Sequence, residues 1–226
     1  MPLPLLASQI YAEPQKAMKY KKSQVEPPTS MPRTKPAHVR LDELMSAAET
    51  LFLAQGVEAT TIDGIAELAQ VAKGTFYIYF SSKNELLEAM GQRYTAQFLR
   101  RLKKEVDKCA PGDWLARLRT WIHTNVIAYV ETYRTHDIVY TNHHHHNRSN
   151  QEKNAILEQL RGILQGGNEA GAWQFDQPRI TALIIYAGVH GVTDDAIANE
   201  GTDCEQFARD VTSVCLRLIN VTEEPN

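Results

Sequence analysis

Lys73, Gly74, Tyr77 and Ile78 fall within six residues of one another and could form a surface that meets a polyanion. The Lys73 ammonium, with Lys83 ten residues on, can neutralise phosphate. Gly74 lets backbone approach closely, the Tyr77 phenol can hydrogen-bond a phosphate oxygen, and Ile78 can touch a thymine methyl. A second set is Trp121, Asn125 and Tyr129, spaced i, i+4, i+8. It could wall a pocket with aromatic rings and one polar anchor, or simply be core. A third set carries imidazole. His143 and His146 in the run "HHHH" share a face at i, i+3 if a helical turn continues, and His190 and Asp194 share another at i, i+4. All are competent metal ligands. Without HExxH or paired-cysteine spacing, the run reads first as an exposed polar turn beside "NRSNQ", and neither metal nor cofactor is expected.

The elements that position these groups are helical. Leu41, Leu44, Met45, Ala48, Leu51 and Phe52 make one buried stripe after Pro36. Gly56 is placed to end that helix in a left-handed cap. Thr60, with Asp63 three residues on, predicts the next start, whose inner face is Ile62, Ile65, Ala66 and Ala69. "KGTFYIYF" predicts another short helix in which Phe76, Tyr79 and Phe80 share the buried side, so that Lys73, Gly74, Tyr77 and Ile78 project outward. Ser82 with Glu85 is a capping box opening a long amphipathic helix through Leu86, Met90, Tyr94, Phe98 and Leu102.

Beyond Pro111, Trp114, Leu118, Trp121, Asn125 and Tyr129 share a face, and a short piece from Thr135 to about Asn142 leads into the histidines. "NQEKNAILEQLRGILQ" is expected to end at Gly166 and Gly167. Pro178 introduces a block, Ile180–Ile197, apolar nearly all round and expected to be buried on two sides. Thr202 and Glu205 form a further capping box before Phe207, Val211, Val214, Cys215 and Leu218. No strand and no internal repeat is legible. The fold class is all-α.

Two short helices joined by a tight turn and braced by a longer one form a helix-turn-helix. Its second helix must be short and aimed to enter a DNA major groove about 12 Å wide. "AAETLFLAQGVEATTIDGIAELA", "KGTFYIYF" and "SKNELL" resemble the N-terminal DNA-binding domain of the TetR family of transcriptional regulators over Leu41 to Met90. The resemblance implies that Thr61, Lys73, Gly74, Thr75, Tyr77 and Lys83 occupy positions that touch DNA, mainly its backbone. It also implies a homodimer, formed through the last two helices, whose C-terminal half binds a small effector and loosens the operator complex. Two positions depart from the family pattern: Gln70 stands where glycine is usual, and Ala72 where serine or threonine would cap the recognition helix. Ile78 stands where a polar residue is usual, so base preference does not transfer.

The expected organisation is a basic disordered arm over 1–37, a helix-turn-helix domain over 38–84, and a ligand-binding and dimerisation domain over 85–226. Residues 1–40 hold seven Lys/Arg against Glu13 and Glu26, a charge of +5, which leaves −8 on the rest of a chain whose net charge is −3. A proline-rich, aromatic-poor basic segment cannot bury enough surface to fold. It reads as a solubilising tail, an upstream extension before Met31, or an arm that assists DNA binding. Residues 41–90 hold only Lys73 and Lys83 against eight acids, so the placement of charge must matter more than its sum.

No run approaches the roughly 18 uninterrupted apolar residues of a membrane span, and Cys109, Cys204 and Cys215 have no paired spacing, so a cytoplasmic protein with reduced thiols is expected. GxSxG, GxxxxGK[ST] and GxGxxG are all missing, and no enzyme is expected. The expected partners are double-stranded operator DNA, a second copy of the chain and a small, largely apolar or aromatic effector. That effector would lie against Trp121, Tyr129 and Tyr140, with Asn125, His143, His146, His190 or Asp194 supplying polarity. The function expected is a ligand-responsive repressor released from its operator. The alternatives are a helical adaptor and a metal-responsive regulator using the histidines.

Overall fold

The computed structural model describes residues 36–141, 151–199 and 203–219. Every regular element among them is helical. The order is α1 (Ala37–Gln55), α2 (Ile62–Leu68), α3 (Lys73–Tyr79), α4 (Lys83–Val106), α5 (Trp114–Thr141), α6 (Gln151–Glu169), α7 (Pro178–Ala198) and α8 (Cys204–Leu218). The all-α expectation holds. Residues 1–35 of the expected basic arm, His143, His146 and Thr202 lie outside the described residues, and Ala37, assigned to that arm, already begins α1.

Two hydrophobic cores form. The first gathers Leu44, Met45, Ala48 and Phe52 of α1, Ile65 of α2, Phe76 of α3 with Phe80, and Leu86, Leu87 and Met90 at the start of α4. The second gathers Phe98, Leu102 and Val106 of α4 with Leu118, Trp121, Ile122 and Val126 of α5, and the inner faces of α6, α7 and α8. α4 and α5 serve both cores: Val139, near the end of α5, is wholly buried in the first.

The local signals act with small displacements. Gly56 ends α1 at φ 82°, and its N–H bonds the Phe52 carbonyl. Thr61 rather than Thr60 caps α2, its hydroxyl accepting from the Gly64 N–H at 3.1 Å. Thr60 instead turns inward and donates its hydroxyl to the Gly56 carbonyl at 2.8 Å, tying down the α1–α2 connection. Gln70, where glycine is usual, adopts a left-handed φ of 55° in the α2–α3 turn. Ala72 offers no side-chain cap to α3. Ser82 caps α4 through the Glu85 N–H, but the Glu85 carboxylate returns to the N–H and hydroxyl of Ser81, each at 2.6 Å. Those two donors hold the Glu85 carboxyl below the usual range.

Three boundaries differ from expectation. α5 runs unbroken through Thr135 for 28 residues, about 42 Å at the α-helical rise. α6 continues through Gly166 and Gly167 to Glu169. Those glycines serve packing: a Cβ on Gly166 would drive into the Trp114 ring, and one on Gly167 into the Trp173 ring. Asp203 caps α8, accepting from the N–H groups of Glu205 and Gln206.

In the single chain α7 buries one side, and the other, expected to face a partner subunit, is open. Ala182, Ile185, Val189 and Thr193 are buried, whereas Ile180, Leu183, Ile184 and Val192 are exposed in the single chain. Among the described residues α7 is the one helix long and apolar enough to cross a bilayer, at a mean hydropathy of 1.2. Its inner stripe is part of the second core.

Candidate nucleic-acid interface and effector region

α3 is held by its buried side. Phe76 is wholly buried and stacks obliquely on Phe80 with ring centroids 5.7 Å apart. The helix therefore turns its other side to solvent, where Tyr77 is 51% and Ile78 77% exposed. Tyr77 is braced edge-on against Phe76. Gly74 is exposed, and a Cβ there would meet nothing within 4 Å, so the backbone is open to close approach. Thr75 is half-buried and Thr61 exposed.

The two lysines are engaged within the chain. Lys73 Nζ sits 2.9 Å from Asp63 Oδ1 on α2, and this carboxylate raises the Lys73 pKa. Both side chains are more than half exposed, so the pair adds little to stability. Its consequence is electrostatic, since a phosphate reaching Lys73 meets an ammonium already shared with Asp63. Lys83 Nζ donates to the Val57 carbonyl at 2.5 Å and the Thr60 carbonyl at 3.0 Å. It straps the α1–α2 connection to the start of α4, a role that sequence spacing did not show.

In the second core the residues expected around an effector divide. Trp121 is wholly buried and its indole N–H is taken by Gln159 of α6 at 2.9 Å. Tyr129, His190 and Asp194 do come together. The Tyr129 hydroxyl donates to Asp194 at 2.7 Å, and His190 Nδ1 lies 3.2 Å from the same carboxylate, which places a proton on Nδ1. Tyr140 joins through His136, whose ring centroid is 4.8 Å from that of Tyr140 and 4.9 Å from that of Tyr129. Tyr94 of α4 and Tyr186 of α7 complete a continuous ring cluster with centroid separations of 4.4–6.1 Å. Asn125, one turn before Tyr129 on α5, is buried, and its Nδ2 has no hydrogen-bond partner among the described residues.

Burial sets the protonation of this cluster. It pushes the Tyr94 hydroxyl up to about 12 and raises Tyr186, with Asp194 adding to the latter. Burial and then Asp194 raise Tyr129. It lowers the His136 pKa, against the opposing pull of Asp137. Tyr94, His136 and Tyr186 escaped sequence reasoning because they come from three separate helices. The available signal was only that His136 lies seven residues after Tyr129 and four before Tyr140.

Tyr94 also borders a cavity of about 70 Å³ between α1 (Glu49), α4 (Met90, Arg93, Gln97) and α5 (Thr132, Thr135). Its hydroxyl pairs with that of Thr132 at 3.0 Å. The Glu49 carboxylate accepts from Arg93 at 2.8 Å and from the Thr135 hydroxyl at 3.0 Å, joining α1 to α4 and α5. At 70 Å³ the space is far below the roughly 300 Å³ of a small-molecule pocket.

A short aimed helix, buried through Phe76 and open at Gly74, Tyr77 and Ile78, is the geometry of a DNA-reading unit. Residues 44–90 match the family described as "Bacterial regulatory proteins, tetR family". That region belongs to the TetR family. It is 34% identical over 70 residues to an uncharacterised HTH-type transcriptional regulator of Haemophilus influenzae, a match spanning 31% of this chain and 37% of that relative. It is 30% identical over 100 residues to the HTH-type transcriptional regulator TtgR of Pseudomonas putida, spanning 43% of this chain and 48% of TtgR. The chain thus spans less than half the length of both. The transcriptional regulator FadR of Bacillus subtilis, solved in complex with stearoyl-CoA, superposes with a TM-score of 0.64 at 20% identity, covering 80% of this chain and 99% of that one. This last likeness extends the shared fold across the C-terminal helices. TetR-family members are transcriptional regulators rather than enzymes, which agrees with the missing catalytic motifs.

Proposed function

We propose that this TetR-family chain is a cytoplasmic, homodimeric repressor that leaves its operator when a small, largely apolar or aromatic molecule binds among its C-terminal helices. The observation that carries the reading is the outward face of α3. Tyr77 and Ile78 stand in solvent while Phe76 and Phe80 anchor the helix behind them. Thr61, Lys73, Gly74, Thr75, Tyr77, Ile78 and Lys83 are the proposed DNA contacts, with Lys83 also holding the loop that presents Thr61. We assign 38–84 to DNA binding, 85–226 to effector binding and dimerisation, and 1–37 to a basic arm.

Dimerisation is supported by the apolar stripe that α7 and α8 leave uncovered. Ile180, Leu183, Ile184 and Val192 of α7 and Val214 and Leu218 of α8 are all exposed. A Cβ on Gly188 or Gly191 would meet nothing within 4 Å, so a partner helix can approach there. An effector is supported by the buried polar-aromatic cluster and by the stearoyl-CoA complex of the structurally similar FadR. Tyr129, Tyr140, His190 and Asp194 meet at that cluster; Trp121 and Asn125 line the core beside it.

A metal-responsive reading would turn on His143 and His146, which lie outside the described residues. No group of three His, Cys, Asp or Glu able to hold an ion occurs among the described residues. The deciding experiment is selection of bound fragments from genomic DNA. A recovered, roughly palindromic sequence bound in a salt-dependent way supports a repressor reading. Recovery of no enriched fragment supports the helical-adaptor alternative instead.

A further inference from the structure

We propose that the ring cluster between α4, α5 and α7 takes an organic cation, which enters beside Asp137 and Asp194. This deepens the effector reading above and rests on it, by naming the charge of the ligand.

Three independent features converge. The first is charge. Asp137 and Asp194 stand at the rim with side chains 57% and 55% exposed. Their hydrogen-bond partners are His136, His190 and the Tyr129 hydroxyl. No lysine or arginine pairs with either carboxylate among the described residues. Two carboxylates set on a wall of aromatic faces, without a lysine or arginine partner among the described residues, are the chemistry that recognises an ammonium or similar cation. The second is the Asn125 amide, buried with Nδ2 unpartnered about 6 Å along α5 from Tyr129. An acceptor on a ligand that extended this far along α5 would satisfy it.

The third is room to move. The rings are in mutual contact, so a ligand must part them. Tyr94, which edges the cluster, also edges the 70 Å³ cavity. Displacing Tyr94 into that cavity presses on Glu49, Arg93 and Thr135, the groups that hold α1. A cation in the cluster thereby acts on the DNA-binding helices through a defined mechanical joint rather than by distance alone.

The test uses the full chain and three probes: a biphenylmethyl trimethylammonium, its uncharged acetamide counterpart, and the carboxylate biphenylacetate. Binding is measured by calorimetry on the wild type and on Asp137→Asn and Asp194→Asn, which keep an acceptor for their partners. The cation is expected to bind roughly tenfold more tightly than either other probe and to lose about tenfold in at least one variant. Equal binding of the uncharged or anionic probe, no binding of the cation, or unchanged cation affinity in both variants would overturn the assignment. Whether the wild type retains operator fragments without any probe decides the regulator reading separately.

Discussion

Glu49 and Arg93 form a 2.8 Å ion pair across the joint between α1 and α4, with the Arg93 side chain only 12% exposed. Thr135 of α5 donates to the same carboxylate, and Arg93 also reaches the Ser46 hydroxyl at 3.2 Å. One carboxylate therefore fixes the leading helix of the DNA-binding unit to both helices that border the effector region. Glu49→Gln keeps the shape and removes the charge. It is expected to cost about 1–2 kcal/mol of stability. Its larger effect should be on the ratio of operator affinities with and without effector, measured in paired titrations. A variant that melts earlier but keeps that ratio would reduce Glu49 to a purely structural tie.

The Lys73–Asp63 pair gives two substitutions of opposite sign. Lys73→Ala should weaken operator binding and lower the salt slope by about one, with the fold unchanged because both side chains are exposed. Asp63→Asn frees the ammonium and removes a repelling carboxylate, so it should tighten binding. Affinities in a salt titration check both; a weakened Asp63→Asn complex would mean that Asp63 orients Lys73 rather than competing for it.

Gln70 is the one non-glycine residue with positive φ among the described residues. Gln70→Gly should raise stability by about 0.5–1 kcal/mol, because relief of left-handed strain exceeds the added freedom of the unfolded chain. Gln70→Val should lower it. Denaturant midpoints read both.

The α7 stripe predicts association. Gly191→Arg places a charge in open space on the single chain, so the monomer should fold normally. Sedimentation is expected to show a dimer for the wild type and a monomer for the variant, with operator affinity falling alongside because two half-sites need two linked α3 helices. A wild-type monomer at micromolar concentration that still binds operator tightly would refute this.

His136 gives a pH dependence. Burial depresses its pKa in the folded chain, so between the folded and unfolded values the unfolded state binds more protons. Its contribution therefore falls as pH drops through about 6.5, the unfolded value, and is unchanged well above it. Melting temperature is expected to decline below neutrality more steeply in the wild type than in His136→Asn. Parallel declines would assign the loss to other groups.

The outward face of α3 was legible because it rests on local spacing: Phe76 and Phe80, four apart, must point the same way whatever surrounds them. The effector region was less so. Trp121 shares a helical face with Tyr129, yet its indole is consumed by Gln159 on another helix, a partner that no i, i+4 pattern reveals. Tyr94, His136 and Tyr186 meet only because α4, α5 and α7 pack together. Gly166 and Gly167 read as a helix end because glycine usually is one; the Trp114 and Trp173 rings that require their small size come from distant sequence. At the caps the errors were a single residue, since Thr60 and Thr61 have the same chemistry and only burial decides which hydroxyl turns inward.

The unbroken course of α5 has a consequence for how the molecule comes apart. With Trp121 and Ile122 in one core and Val139 in the other, neither core can be lost while the rod stays whole and solvated on that side. Head and body are thus coupled through the rod, and amide protons along the middle of α4 and α5 are expected to be among the slowest to exchange. The seven-residue α2 and α3 lack that continuity and are held to the first core chiefly through Ile65 and Phe76, so their opening is expected to come at a lower cost than that of α4 or α5. The part of the chain expected to meet a groove is thus also the part with the least continuous support.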